Sequence, residues 1–189
     1  MTYVLIGAGG HAKAIVEGIT QRGETVVAYV DPREARWLPA RRISEQGLAV
    51  EIAEGAGIVI GIGGVAPENL EKRLSLLEGY RTSGMPAPAV VHPGAHVSST
   101  AALGQGTIVL AGAVIQPGVT IHQGVIVNTG AIVEHDSEIG AGSHIAPGAI
   151  VLGGCRIGKC CMIGAGAVIL PGATVADHSL IAAATRYPS

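Results

Sequence analysis

VNTGAIVEHDSEIGAGSHIAPGAIV, residues Val127–Val151, decides the fold. Val127, Val133, Ile139, Ile145 and Val151 stand six apart in it. The same register runs without a break from Val91, Val97, Leu103, Val109, Ile115 and Ile121 to Ile157, Ile163, Ile169, Val175 and Ile181. Four residues after each aliphatic comes a short side chain, here Ala131, Ser137, Ser143 and Ala149. The residue before that is mostly glycine, as at Gly130, Gly142 and Gly148. Neither the helical period of 3.6 nor the strand period of 2 produces this pattern. A hexapeptide repeat does, and it predicts a parallel β-helix of short strands and tight turns. In a three-sided coil, one inward aliphatic and one small inward residue per side fill a narrow prism. Glycine relieves the turns where a Cβ would clash at positive φ. At three hexads per coil the stretch makes about five coils, roughly 24 Å tall at the spacing of neighbouring strands.

Composition agrees with that interior. Of 189 residues, 29 are Gly, none is Phe and only five are aromatic, so the core must be Val, Ile and Ala. The length allows one large domain or two small ones. A net charge of −2 gives no electrostatic reason to expect nucleic acid or a membrane surface as partner. Apolar runs are broken by Gly, Pro and His, so no membrane-inserted span is expected. The N-terminus lacks a charged leader and cleavage site, and the expected location is cytoplasmic. Cys155, Cys160 and Cys161 lie within seven residues without CxxC spacing, which fits two core thiols and one turn thiol better than a disulfide framework or zinc site.

Before the repeat the pattern is α/β. Tyr3–Ile6 reads as a buried strand, followed by a Gly-rich turn (GAGGHA) and a helix from about Ala12 to Arg22, closed by Gly23. Thr25–Val30 is a second strand ending in Asp31, residues 33–50 read as irregular, and Gly57–Ile62 is a third strand. A second helix is predicted over Pro67–Leu77, and Gly79–Pro88 reads as the linker. The expected organisation is a small Rossmann-like domain over residues 1–84 and a β-helix over residues 85–189. Gly7-x-Gly9-x-x-Ala12 after a strand formally matches a dinucleotide fingerprint, with Asp31 where a ribose-binding acid would sit. The turn reads either as a phosphate cradle at a helix N-terminus or as a plain tight turn. A second Gly-rich turn, Gly61–Gly64, on the same sheet edge favours a ligand. The domain lacks a second mononucleotide half, so a nucleoside diphosphate fits better than a nicotinamide dinucleotide. His11, opening the helix, suits a neutral hydrogen-bond donor to ligand, or it caps the turn.

Seven histidines require sorting. His92, His96, His122 and His178 read as packing or solvated residues. His135 and His144 stand nine apart with no third histidine near, which argues against a metal. Glu134-His135-Asp136 is different, because it concentrates charge in a bland repeat. An imidazole beside a carboxylate is the arrangement of a general base. Asp136 takes a slot that most hexads give to Gly. Asn128, seven residues earlier, offers a polar contact, though an Asn is also expected in a turn for its conformation.

The N-terminal GAGGHA, the central NTGAIVEHDSEIGAGSHIAPGA and the continuous hexapeptides together resemble the NeuD/PglD-type bacterial sugar acetyltransferases, over residues 3 to about 183. That family includes sialic acid O-acetyltransferases and N-acetyltransferases acting on UDP- or GDP-linked amino sugars. The resemblance implies a left-handed β-helix, acetyl-CoA as cosubstrate without a metal, and homotrimers with CoA between adjacent helices. It also implies His135 as the base removing a proton from the acceptor, with Asp136 behind it. His144 would contact acetyl-CoA near the thioester, Gly153 would line the acetyl site as an oxyanion donor, and Ala165 would line the pantetheine groove. Gly9, Gly10, His11, Asp31 and Gly63 would form the pocket for the nucleotide-linked sugar, completed by a neighbouring subunit. Relatives usually continue through a G-x-P-A-K-like tail, whereas this sequence stops at Arg186-Tyr187-Pro188-Ser189, which bears on cofactor affinity. The expected activity is N-acetylation of a nucleotide-activated amino sugar by direct transfer. Free-sugar O-acetylation and a non-catalytic repeat protein are the alternatives.

Overall fold

A computed structural model describes residues 1–188; Ser189, the last residue of the tail, lies outside the described residues. The chain begins with β1 (Thr2–Ile6), α1 (Gly10–Gln21), β2 (Thr25–Val30) and β3 (Arg41–Arg42). It continues through a 3-10 turn (Glu45–Gly47), α2 (Leu48–Ala53), β4 (Gly57–Ile60) and α3 (Pro67–Thr82). The four strands form one parallel sheet in the order β3-β2-β1-β4. The chain crosses to opposite sides of β1, so the topological switch point lies at the carboxyl ends of β1 and β4. Ligands bind open α/β sheets at such a point. Gly7 turns there at φ +85, and its N–H donates to the Val30 carbonyl.

Three expectations for this region need correction. The stretch 33–50, read as irregular, contains β3, the 3-10 turn and the start of α2. Leu48 is fully buried there, and Glu51 bonds Arg41 at 2.6 Å, so tertiary anchoring orders a segment too short to show a period. The helix expected to stop at Leu77 runs on to Thr82 through Gly79. Tyr80 packs on the core and Arg81 donates to Gln105 and Gln123 of the β-helix, contacts that override the glycine. The true stop is Gly84, at φ +81. The third strand ends at Ile60, two residues early.

From Val90 to Tyr187 the chain makes seventeen two-residue strands in three parallel sheets of six, six and five. Each strand pairs with the one eighteen residues on, as Ile126 with His144 and Ile132 with Ile150, so one coil is three hexads. The first face carries Val90–Val91 through Leu180–Ile181. The second carries His96–Val97 through Arg186–Tyr187, and the third Ala102–Leu103 through Thr174–Val175. The aliphatics at six-residue spacing point inward and, with the short residues, form one stacked core. Inward hydroxyls are satisfied by carbonyls of the next turn: Ser137 donates to Leu152 at 2.9 Å and Ser143 to Gly158 at 2.7 Å. Every sixth residue from Gly106 to Ala184 has positive φ; ten of these corners are Gly, and the others are Asp136, Cys160, His178 and Ala184.

The two parts share their remaining core. Outward residues of the first face, Val90, Ile108 and Ile126, join α1 and β1 side chains. Leu74 and Leu77 of α3 lie over the stacked corners Gly106, Gly124 and Gly142. There a Cβ would approach within 2.5, 2.9 and 3.0 Å of a leucine methyl. Cys160 extends that stack: it sits in the turn, at φ 52, and is also buried with α3, so the turn thiol packs as well.

Candidate active site

One chain gathers the candidate residues into two groups. The first sits at the corner between the second and third faces. Val133 and Ser137 are anchored in the core, which forces Glu134, His135 and Asp136 out through the turn. Asp136 adopts φ 59, and His135 Nδ1 lies 2.9 Å from Asp136 Oδ2. The carboxylate is the acceptor, so Nδ1 carries the proton and Nε2 presents a lone pair. Both side chains are open, at 64% and 74% exposure. Glycines make room on either side. A Cβ on Gly118, one coil before, would come 2.5 Å from Asp136 Oδ1, and a Cβ on Gly153, one coil after, 2.6 Å from His135 Nε2. The Gly153 N–H donates to no group among the described residues.

The second group lies where the α/β part meets the first face. His144 points outward from its strand and is buried under the loop after β4. Its Nδ1 donates to the Gly64 carbonyl at 2.7 Å, and its Nε2 accepts from Asn128 Nδ2 at 2.9 Å. Asn128 is held in that sense because its Oδ1 accepts the Thr129 N–H at 2.8 Å. The Asn128 turn thus supplies a polar contact, to His144 rather than to His135. The His11 ring stands 6.4 Å from His144 and packs against Gly63, and its Nε2 is enclosed without a partner. Burial first, then His144 and Arg73, lower the His11 pKa to about 4. Burial also lowers that of His144, with the Gly64 carbonyl opposing and Arg73 assisting. Beside these rings runs a cleft of about 440 Å³ lined by Val65, Asn128, His144, Met162, Ala165 and Leu180, among others.

Along the sheet edge, Gly9 and Gly10 are exposed at the N-terminus of α1, which has no side-chain cap, so its first N–H groups are free for an anion. Asp31 accepts the Ala8 N–H through Oδ2 and the Arg33 N–H through Oδ1, both at 2.8 Å. Those bonds hold its carboxyl below the usual range. It ties the two loops of the edge together and keeps a lone pair on each oxygen for a ligand. Sequence reasoning missed Trp37, whose Nε1 donates to the Ala8 carbonyl at 3.1 Å and whose ring carries Lys13 Nζ at 5.7 Å. Trp37, Asp31 and Ala8 line a hollow of about 230 Å³. Being the only tryptophan was its signal. Arg73 was also missed, although it stands in the stripe of Leu70, Leu74 and Leu77, where a charge needs a reason.

The structure therefore brings His135, Asp136 and Gly153 together, and separately His11, Gly63, Asn128, His144 and Ala165. It does not bring the two groups together, because they lie on different sides of one prism. Among the described residues no group of three or more His, Cys, Asp or Glu is placed to hold a metal. No described helix is long and apolar enough to cross a membrane.

Comparison with known proteins bears on this arrangement. The PglD N-terminal domain family matches residues 3–73. The acetyltransferase domain of PglB from Neisseria gonorrhoeae is 34% identical over 98% of this chain and 90% of that one, with a TM-score of 0.87. Perosamine N-acetyltransferase from Caulobacter crescentus, a variant with one histidine replaced by asparagine, in complex with CoA and GDP-perosamine, is 31% identical. That match covers 100% of this chain and 90% of that one, with a TM-score of 0.88. WeeI from Acinetobacter baumannii, 20% identical over 99% of this chain and 94% of that one, shares the fold with a TM-score of 0.74. The search of curated proteins gave no match. Fold and site together define an acetyltransferase built on a left-handed parallel β-helix. Within that class, the chain belongs to the NeuD/PglD-type family of bacterial sugar acetyltransferases.

Proposed function

We propose that the chain transfers the acetyl group of acetyl-CoA to the amino group of a UDP- or GDP-linked amino sugar, with His135 as general base. The observation that carries this reading is the His135–Asp136 pair at 2.9 Å, with Nε2 facing outward over Gly153. Asp136 fixes the tautomer and stabilises the imidazolium. His135 Nε2 takes a proton from the amine as nitrogen attacks the thioester carbon, and the Gly153 N–H supports the oxyanion. Collapse breaks the C–S bond, and His135 returns the proton to the leaving sulfur. No Cys or Ser is paired with a base, so the reading needs no covalent enzyme intermediate.

Binding is assigned to the second group. The cleft beside His144 and Ala165 takes the acetyl-CoA arm. The free N–H groups of α1, with Asp31, Gly63 and His11, take the nucleotide-linked sugar. The two groups face different sides of one prism, so a complete site forms between copies, and a homotrimer closes three such sites. GDP-perosamine in the Caulobacter relative supports a nucleotide-linked amino sugar as acceptor.

The test is acetyl transfer by purified protein to UDP- and GDP-linked amino sugars and to free sialic acid, with His135→Ala alongside. The variant is expected to lose roughly 10²- to 10⁴-fold in turnover. Parental turnover in a folded, assembled variant refutes the base assignment. Transfer to sialic acid alone refutes the acceptor assignment.

A further inference from the structure

Two hollows flank Asp31 on the ligand edge, and they differ in size and in donors. The one beside Trp37 measures about 230 Å³, below the roughly 300–1,000 Å³ usual for a small-molecule pocket. The Trp37 indole N–H is spent on the Ala8 carbonyl, and the ring already carries Lys13. On the other side, Val30, Asp31, Pro32, Arg42, Ile43 and Ser44 line a hollow of about 470 Å³. Val30, Pro32 and Ile43 give it apolar walls against which a planar ring can lie.

Arg42 supplies the positive charge in that lining, and local structure sets which way it faces. β3 is an edge strand in which Arg41 pairs with Ala28 and Arg42 with Tyr29. Successive side chains leave a strand on opposite faces, which sends Arg41 to Glu51 and Arg42 to the loop after β2. There Arg42 Nε donates to the Asp31 carbonyl at 3.0 Å and Nη2 to the Pro32 carbonyl at 2.6 Å. Two of its five N–H donors are thus used on the wall, and the Nη1–Nη2 edge keeps a parallel pair turned away from it. No carboxylate stands within ion-pair distance of Arg42 among the described residues. Two carbonyls hold the planar fork in place, so its free edge is pre-organised for a group with two adjacent acceptors.

Order along the sheet edge assigns the hollow. Neighbouring strands lie about 4.8 Å apart, so a nucleotide laid across their carboxyl ends puts its phosphates over α1, its ribose at Asp31 and its base beside β3. Guanine presents O6 and N7 as adjacent acceptors, the commonest bidentate partner of arginine among base edges. Uracil has no such pair, because the N3–H donor stands between O2 and O4. Cytosine pairs O2 with N3, but two fused rings bring more surface against the apolar walls than one ring does. We propose that Arg42 is a specificity-determining residue that reads O6 and N7 of guanine, so that the acceptor sugar is carried by GDP rather than UDP. The inference rests on the reading of this edge as the site of the nucleotide-linked sugar.

The experiment is calorimetric titration of the purified parent and Arg42→Lys with GDP, 7-deaza-GDP, CDP and UDP. The parent should bind GDP roughly 10- to 100-fold more tightly than UDP. 7-deaza-GDP, with C–H in place of N7, should bind the parent about tenfold more weakly than GDP. Arg42→Lys keeps the charge but not the fork, so GDP should weaken about tenfold while UDP holds. Equal binding of GDP and 7-deaza-GDP by the parent overturns the proposal, even if Arg42→Lys does not fold. So does a parent that prefers UDP or CDP. So does a folded Arg42→Lys that weakens GDP and UDP alike, which leaves Arg42 a phosphate contact or a strut. A parent that binds no nucleotide refutes the reading of the edge itself, whereas nucleotides bound without preference for guanine refute the base assignment alone.

Discussion

Gly153→Ala separates the position of His135 from the stability of the fold. The added methyl would lie 2.6 Å from His135 Nε2 and 2.7 Å from Cε1, whereas ordinary contact begins at 3.4 Å. The ring must retreat by about 0.8 Å, and a misplacement near 1 Å at a reacting centre costs about 10²-fold in rate. Little opposes the retreat, because the ring is open to solvent. Gly153 does not have positive φ, so alanine adds no backbone strain, and the change in stability should stay within about 0.5 kcal/mol. Gly154→Ala is the control. Its φ is +69 and a Cβ there meets nothing, so it should lose about 1 kcal/mol of stability while keeping turnover. The assay is CoA release in the steady state, with Tm read on the same samples. Parental kcat in folded Gly153→Ala would refute the placement of Nε2 at the reacting centre. Equal losses in both variants would show that disturbing the turn, not the ring, is what matters.

Two further outcomes follow from the same geometry. Asp136→Gly puts glycine into a left-handed corner, so its unfolding free energy, measured in urea, should hold or rise by up to about 1 kcal/mol. Turnover should nonetheless fall by roughly tenfold or more, because His135 loses its orienting acceptor; a parallel fall in stability and rate would contradict this. His11 has a folded pKa of about 4 against an ordinary 6.5, so the unfolded chain binds the extra proton between those values and stability must fall as pH drops from 6.5 to 4. The loss from this ring is up to about 3 kcal/mol, and urea unfolding of the parent and His11→Gln at pH 7 and pH 4.5 should show a shallower decline in the variant.

The β-helix was legible because its core repeats every six residues and each aliphatic of the register does one job. Residues 33–50 were not, since Leu48 and Glu51 owe their order to partners that no local period encodes. Gly79 misled for a related reason: Arg81 gains two β-helix acceptors by keeping the helix going. At the site, His135–Asp136 could be read because adjacent residues in one turn must be neighbours. His144 and Asn128 are sixteen residues apart, and their bond depends on coil pitch, so neither residue reveals the other. Asp31 showed in the sequence as an acid on the ligand edge, but its bonds to Ala8 and Arg33 did not.

The leucines of α3 over Gly106, Gly124 and Gly142 have a consequence for how the solenoid opens. In a stack where each coil touches only its neighbours, stability is a sum of local terms and the ends fray independently. Here one helix lies across three successive coils, eighteen residues apart at each step, and splints them. The splinted coils must open together and with the helix. The coil holding Leu180 and Tyr187 has no such brace and opens alone. Hydrogen exchange would then divide the β-helix into a slow block around His135 and a fast cap at its carboxyl end, so that the cleft wall can breathe while the coil of His135 stays folded.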